Sequence, residues 1–514
     1  MIKSKVVRDT LLLTVMQLFL DSAALLLNAF ITRQLGTSAI GILSLMGSFL
    51  GLAGILSNGN AFLCTSRLIS EEFGKSVGDP GGILGYGLKL CLLLSAAVSA
   101  GVIILAEPIG QRFFSGAHMT AALRLMPAAL FTGAAGACFK GYFNAARRAA
   151  VTAAGDIAEF VTRCGVIVSA ASASGNCSED RVCGIMIGGI IAGNTVSLIF
   201  LGAAYLKFRV KGTGRCSISF REYAAFSFPI MGGGILTAVL SSTNDALIPV
   251  CLRQFGDSAG DALGKFGVFE AIVIPALFFP SVVLCSMSGI IVSETARAKA
   301  AGNMIRIRQI TERIKAWTLM FSIFAAAVLM RFGGEIGERL GGGDLAETMI
   351  TIIAPVVPFI YMEIVLEAII KGMALQSFSS ANYLAEYVIR IAAVLILVPK
   401  IGFYGIVISY YASNIFGNSM RFVKVTKASG ARRALCGTLI LPVILAFASM
   451  SSAELLTRLT GLENGSLHGM LFFGLIWGMV YFAAFCALGK VKLISKSGEA
   501  LFSKNAQQTS ERIL

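Results

Sequence analysis

Two hexapeptides set a glutamate four residues ahead of an arginine: Ala158-Glu159-Phe160-Val161-Thr162-Arg163 and Ala385-Glu386-Tyr387-Val388-Ile389-Arg390. On a helix this order brings carboxylate and guanidinium onto one face, where they pair. Both stretches lie in apolar surroundings, where an isolated charge costs roughly 2.5–3.5 kcal/mol or more. Two chemistries fit. The pairs either neutralise themselves and staple neighbouring helices, or Arg163 and Arg390 face a central cavity and receive an anionic substrate group. In the second case Glu159 and Glu386 lower the cost of the empty state.

Other charges divide in the same way. Asp21 stands midway along an apolar run with no basic residue within a helical turn. Such a carboxylate is either protonated by its surroundings or exposed to an aqueous cavity where H⁺ or Na⁺ binds. Asp245, after Asn244, is similar but expected nearer the outer end, on a solvated rim. Glu363, Glu367 and Lys371, spaced one helical turn apart, are expected to form a mutually neutralising cluster. Arg67 fits the inner membrane interface, or a place where it meets an anionic headgroup entering from the cytoplasm. Arg33 and Arg253 are expected to snorkel to outer headgroups while Gly36 and Gly256 end their helices. Pro229, Pro275, Pro280, Pro355 and Pro358 loosen helices, for motion, cation binding or simple bends.

Metal and nucleophile chemistry find little support. The two histidines, His118 and His468, fall in expected outer loops, and the 11 cysteines show no CxxC or metal-ligand spacing. Cys177 and Cys183 flank an outer loop and could pair. With no phosphate-binding Walker loop, work must come from an H⁺ or Na⁺ gradient or the membrane potential, and no cofactor is expected.

The elements that position these groups follow from hydropathy. The 514 residues are 56% hydrophobic and 14% charged, whereas soluble proteins carry about 25% charged residues. Apolar blocks of bilayer-crossing length are expected near 11–32, 38–65, 84–106, 120–143, 151–173, 183–207, 225–251, 266–293, 315–332, 348–371, 381–399, 403–423, 434–452 and 468–489. The expected fold is an all-α integral membrane protein with about 14 transmembrane helices. Loops this short leave no room for a soluble catalytic domain, so the reading is not an enzyme. An integral-membrane glycosyltransferase would need acid/base or metal clusters in a large outer loop, and the longest ones, near 107–119, 333–347 and 453–467, are poor in them.

The net charge of +15 follows topology. With the N-terminus inside, about thirty of the 43 basic residues, Arg421 and Lys315 among them, fall on cytoplasmic segments and about ten outside. That is the positive-inside bias, with attraction to anionic lipid as its by-product. It places both termini in the cytoplasm, makes the first helix a retained span rather than a cleaved signal, and leaves nucleic acid without a role.

The chain also repeats itself. Arg33-Gln34-Leu35-Gly36 returns as Arg253-Gln254-Phe255-Gly256, and Ile109-Gly110-Gln111-Arg112 as Ile336-Gly337-Glu338-Arg339. Pro127 with Lys140-Gly141 returns as Pro358 with Lys371-Gly372, and the Glu–Arg hexapeptide recurs in the same order. A repeat of six spans gives two lobes of like orientation, related by a pseudo-twofold along the membrane normal, with the substrate site at their interface. The expected organisation is an N-lobe of six spans (1–207), a cytoplasmic linker (208–224), a C-lobe of six (225–425), two appended helices (426–489) and a basic tail (490–514).

These motifs resemble a known family. Arg33-Gln34-Leu35-Gly36 followed by Gly41 is similar to the first-helix ending of the polysaccharide-export branch of the multidrug/oligosaccharidyl-lipid/polysaccharide (MATE-like) flippase superfamily. Pro275 to Ser281, Glu294 and Gly302-Asn303 look like the eighth helix of its stage V sporulation protein B-like members. Residues 158–163 resemble that group's fifth-helix Glu-x-x-x-Arg pattern. The resemblance implies a monomeric alternating-access flippase of the cell membrane with a V-shaped cavity between lobes. Its cargo would be a lipid-linked, pyrophosphate-bearing oligosaccharide or polysaccharide precursor, such as one for peptidoglycan. Compared with the lipid II flippases, Asp21 matches a first-helix aspartate, but Leu20 stands where an arginine is expected and Pro275 where the eighth helix carries its cavity arginine. Diphosphate recognition would then fall to Arg163 and Arg390. Rival readings are a cation-coupled multidrug or toxin antiporter, favoured by an acidic, aromatic cavity, and a regulatory scaffold.

Overall fold

The computed structural model describes residues 2–73, 79–113, 120–173, 179–210, 216, 218–431, 435–460 and 469–487. Apolar runs of bilayer length have one way to satisfy their backbone groups in lipid, the α-helix, and the described residues form helices joined by short turns. The first half comprises α1 (Ile2–Leu35), α2 (Thr37–Asn58), α3 (Ala61–Phe73), α4 (Pro80–Ile104), α5 (Ala106–Phe113), α6 (Thr120–Ala145), α7 (Ala149–Ala173) and α8 (Glu179–Phe208). The second comprises α9 (Phe220–Phe255), α10 (Ala259–Val268), α11 (Ile274–Phe278), α12 (Val282–Ala300), α13 (Met304–Arg339), α14 (Gly343–Ile353), α15 (Val357–Gly372), α16 (Gln376–Ile401) and α17 (Phe403–Ser429). Two helices follow, α18 (Leu435–Thr460) and α19 (Gly469–Ala487). Joining α2 with α3, α4 with α5, α10 to α12, and α14 with α15 as single broken passes gives the fourteen expected.

Ten of these passes are apolar and long enough to cross a membrane by length and composition alone. Among the others, α7 carries Asp156, Glu159 and Arg163, α16 carries Glu386, Arg390 and Lys400, and α17 carries Arg421, Lys424 and Lys427. Four of the charges that weaken the hydropathy signal, Glu159, Arg163, Glu386 and Arg390, are candidate site residues.

Helix ends follow local chemistry. Gly36 and Gly256 adopt φ of 88° and 122°, the left-handed region that glycine enters without a Cβ penalty, so both repeated motifs do end their helices. Ser219 and Glu222 form a reciprocal capping box, and helix therefore begins at Phe220, inside the stretch expected to be linker. At the other boundary, α17 runs on to Ser429. Pro275 and Pro280 coincide with the breaks in the eighth pass: a π turn over Phe269–Val273 precedes α11 and a 3₁₀ turn over Phe279–Ser281 precedes α12. Pro355 lies in a further 3₁₀ turn, whereas α9 continues through Pro229.

Packing repeats between halves. Helix α7 lies along α8 as α16 lies along α17, and α1 meets α7 as α9 meets α16. The halves meet where α2 packs against α9 and α10. The Ser38 hydroxyl donates to the Gly260 carbonyl at 2.9 Å, and Asn28 donates to the Ala271 carbonyl at 2.9 Å. The helices α18 and α19 are an appendage on α13. The Trp477 indole donates to the Ala446 carbonyl and the Ser449 hydroxyl, both at 3.1 Å, and the Tyr481 hydroxyl donates to the Met320 carbonyl at 2.9 Å.

The α2–α10 crossing is close enough that glycine is required. A Cβ at Gly41 would stand 1.9 Å from the Leu263 carbonyl oxygen, and one at Gly267 would stand 2.3 Å from the Gly41 nitrogen. Alanine at Gly41 gains about 1 kcal/mol of helix propensity, but the backbone must part to admit it, and overpacking costs about 1–3 kcal/mol. Gly41→Ala is therefore expected to lower the thermal midpoint in detergent. Gly47→Ala, with nothing within 4 Å of its Cβ, is expected to leave the midpoint unchanged or raise it.

Candidate functional site

The pairing of the halves leaves two cavities, and a third adjoins them within the second half. One, of about 700 Å³, lies between α1 and the α11–α12 region and is lined by Gln17, Asp21, Asn28, Pro275, Ser281 and Cys285 among others. A second, of about 750 Å³, is bounded by α1, α2, α9 and the π turn, with Asn28, Ser48, Asp245, Glu270 and Tyr387 on its wall. The third, of about 430 Å³, is enclosed by α12, α15, α16 and α17 and lined by Glu363, Glu367, Lys371, Tyr383, Glu386, Arg390 and Tyr410. Asn28 lines the first two, Phe278 and Cys285 the first and third, and Tyr387 the second and third. Through these shared residues the three adjoin, and together they are called the chamber. Its wall carries the carboxylates of Asp21, Asp245, Glu270, Glu363, Glu367 and Glu386 against the cations of Lys371 and Arg390.

Chemistry concentrates in the third compartment. Arg421 has no exposed side-chain surface and faces three carboxylates. Its Nη2 is 3.0 Å from Glu363, its Nη1 donates to Glu386 at 3.0 Å, and its Nε is 3.6 Å from Glu367. Its guanidinium also lies 4.5 Å from the centre of the Tyr383 ring. Glu386 bridges two cations, because its other oxygen accepts from Arg390 at 3.4 Å. Arg390 donates in turn to the Ser413 hydroxyl at 3.0 Å and sits 4.6 Å from the Tyr410 ring centre. The Ser379 hydroxyl donates to Glu367. A bare backbone makes room for the bridge: a Cβ at Gly417 would stand 2.4 Å from Glu386 Oε2.

Three sequence expectations change here. Arg421 belongs among the buried groups rather than the cytoplasmic charges, and Lys315 is likewise buried, over the Phe422 ring at 4.6 Å. The Glu363–Glu367–Lys371 stripe is neutralised mainly by Arg421, since the half-exposed Lys371 stands 3.9 Å from Glu367. Asp245 is also no rim residue. It is buried where α2 meets α9, accepting from Ser48 at 2.6 Å and from Asn244 at 3.3 Å. Asp21 does face a cavity, accepting from Gln17 at 2.8 Å.

The first-half copy of the motif is placed differently. Arg163 donates to Glu159 at 2.5 Å, and Lys140 bridges Glu159 at 2.9 Å and Asp156 at 2.6 Å. None of these four lines the three chamber compartments. Arg67 also lies off the chamber, exposed, 3.3 Å from Glu71 and 5.0 Å from the Phe226 ring centre. Arg33 donates at 2.6 Å to the Arg339 carbonyl, tying α1 to α13 rather than reaching headgroups alone. Cys177, His118 and His468 lie outside the described residues, among which no group of three or more His, Cys, Asp or Glu could hold a metal ion.

Sequence reasoning missed Arg421 and Glu270, and both left a signal. Gly193-Asn194-Thr195 recurs as Gly417-Asn418-Ser419, which aligns Ser197 with Arg421. The Lys-Gly register aligns Thr132 with Glu363 and Gly136 with Glu367. The second half thus holds a cation and two acids where the first holds small neutral residues. Glu270 is an acid inside an apolar span, which is itself a functional flag, and it sits in a π turn, a distortion frequent at functional sites.

No protein-family model matches the chain, and no curated protein matches its sequence. Solved structures match its fold. The lipid II flippase MurJ in an inward closed conformation covers 94% of this chain and 100% of its own, at 14% identity and TM-score 0.65. The MATE multidrug transporter DinF-BH covers 82% and 95%, at 18% identity and TM-score 0.60. The Vibrio cholerae MATE transporter VcmN in its bent form covers 83% and 98%, at 14% identity and TM-score 0.59. The fold is that of MOP-superfamily transporters. Within that MOP fold this chain sets its charged network in the second lobe.

Removing one partner of a buried ion pair costs about 3–5 kcal/mol, because the other is left uncompensated. Arg421→Leu is therefore expected to destabilise the protein by an amount in that range. Adding Glu363→Gln and Glu367→Gln to it, with Glu386 kept as the partner of Arg390, is expected to restore most of the loss. Thermal and denaturant unfolding in detergent measure both.

Proposed function

We propose that this chain is an alternating-access flippase that carries a lipid-linked oligosaccharide or polysaccharide precursor, as for a cell envelope, across the cytoplasmic membrane. The observation that carries the reading is the cavity between α1 and α12. Gln17, Asp21, Ser281 and Ser286 set polar groups into a wall that is otherwise mostly apolar, while Val15, Phe19, Val283, Met287 and Ile290 on the same two helices are exposed and apolar. A recess that places polar groups in an apolar wall, on helices with exposed apolar side chains, suits a molecule whose head enters the protein while its tail stays in the bilayer. The stage V sporulation protein B-like branch is the reading within the superfamily that the sequence motifs favour.

In this account the positive-inside distribution puts both termini in the cytoplasm, so the Gly41–Gly267 crossing seals the outer side. Rocking of the lobes opens that seal and closes the inner side. Arg390 is the guanidinium on the chamber wall and meets the diphosphate, with tyrosine rings and hydroxyls against the sugars. The carboxylate surplus disfavours an anion entering alone. Asp21, Asp245 and Glu270 therefore take up H⁺ or Na⁺, which offsets the charge and couples transport to a gradient or to the potential. The chamber is complete within a single chain, which fits a monomer.

A second reading rests on the same surplus. Even with Arg421 shared among Glu363, Glu367 and Glu386, the six carboxylates outnumber the cations beside them, and with several aromatic rings they also suit an organic cation, as in a cation-coupled multidrug or toxin antiporter. The fold match to DinF-BH, a MATE multidrug transporter, supports this alternative.

Reconstitution in vesicles, scored for leaflet translocation of lipid-linked sugars with and without a potential, separates the two. The flippase reading expects translocation that Arg390→Ala lowers more than tenfold. Arg163→Ala, off the chamber, is expected to keep it within about twofold. Export of a cationic dye without any lipid translocation would favour the antiporter.

A further inference from the structure

A further cavity stands apart from the chamber. It measures about 480 Å³ and lies where the ends of α3, α6 and α8 meet, lined by Phe73, Arg147, Arg148, Phe208 and Val210 among others. We propose that this cleft binds the phosphate headgroup of an anionic phospholipid from the cytoplasmic leaflet, whether or not the chain carries the cargo proposed above. The leaflet follows from the charge-based orientation.

Charge makes the first argument. Asp21, Asp245, Glu294 and the Glu363–Glu386 group put at least one carboxylate on the wall of each of four other cavities. This cleft has arginines and one serine as its polar side chains. Among the described residues no acid pairs with Arg147, Arg148, Lys207 or Arg209, and all four are exposed. A topology signal alone requires positive charge on this side, but it requires neither a cleft nor the absence of acids.

Geometry makes the second. The Arg148 guanidinium lies 4.3 Å from the Phe208 ring centre, and stacking of this kind leaves the N–H edge free to donate to a phosphate in a forked pair. Arg147 is held in the turn between α6 and α7 with a φ of 55°, a conformation rare for a side chain of its size. The turn is closed by Arg147 and Arg148 N–H groups donating to the Asn144 and Phe143 carbonyls at 3.1 and 2.9 Å. The Val210 N–H donates to the Tyr142 hydroxyl at 3.0 Å, fixing the opposite wall.

The third argument concerns the tail. Ile199, Ala203 and Leu206 are exposed at helical spacing along α8 and lead to exposed Val210 at the cleft. That stripe gives an acyl chain an apolar path up the helix from a headgroup held by the arginines.

The test titrates purified full-length protein with dioctanoyl phosphatidylglycerol, dioctanoyl phosphatidylcholine or inorganic phosphate and follows the thermal midpoint. We expect saturable stabilisation by phosphatidylglycerol only, weakened at least tenfold in apparent affinity in Arg147→Gln/Arg148→Gln. Lys424→Gln/Lys427→Gln, which removes two basic side chains from α17, is expected to titrate like the wild type. Equal weakening in both double variants, or an equal response to phosphatidylcholine, would overturn the site. Stabilisation by phosphate alone to the same extent would overturn the lipid as its occupant. Should the arginine variant fail to fold, Phe208→Leu removes the stacking surface instead and is held to the same tenfold criterion.

Discussion

Burying a guanidinium with no exposed surface among apolar helices is affordable only if its partners are fixed before the charge leaves water. Arg421 meets that constraint with three carboxylates from α15 and α16, and the second half of the molecule is arranged around it. Glu386 extends the network to Arg390, Arg390 to the Tyr410 ring and the Ser413 hydroxyl, and Glu367 to Ser379. The glycine at 417 lets α17 approach α16 closely enough for the bridge to form. In such a low-dielectric setting, satisfied polar networks rigidify their surroundings, and partly satisfied ones are costly. The account of the chamber, its charge and its asymmetry begins from that cluster.

Asymmetry between the lobes has a direct physical reading. Duplication gave both halves a Glu-x-x-x-Arg helix and a Lys-Gly turn, but the two copies solve the neutrality problem differently. In the first half Lys140 answers Glu159, so the charges close on themselves away from the chamber. In the second half Arg421 answers Glu386, which leaves Arg390 on the chamber wall beside the tyrosines. Inherited sequence therefore does not mean inherited role. One copy pairs off the chamber, and the other lines it.

The fold was largely legible because it is set by runs of apolar residues, whose lengths need no knowledge of partners. The ends of α1 and α9 were legible for a similar reason: glycine after a helical run is a local signal. Placement of the charged groups was harder. Whether Glu159–Arg163 or Glu386–Arg390 meets the chamber depends on a third residue from another helix, and periodicity carries no information about it. Asp245 was placed on a rim because its position along the span says nothing of α2 packing over it. Arg421 was read as a cytoplasmic charge because it lies at the end of an apolar run, where most basic residues are solvated. The second Gly-Asn-Thr/Ser motif was the one clue that its register, and not its hydropathy, should be compared with the first lobe.

The central claim is that the halves part at the α2–α10 seal to expose the chamber on that side. Ser38 and Gly260 face each other across this seal, so cysteines at both positions can lock it with a disulfide. Leaflet translocation of a lipid-linked sugar by this double variant in vesicles, measured oxidised and then reduced, is the most direct test. The account predicts no translocation while the bond is intact and recovery on reduction. Undiminished translocation by fully cross-linked protein would contradict it.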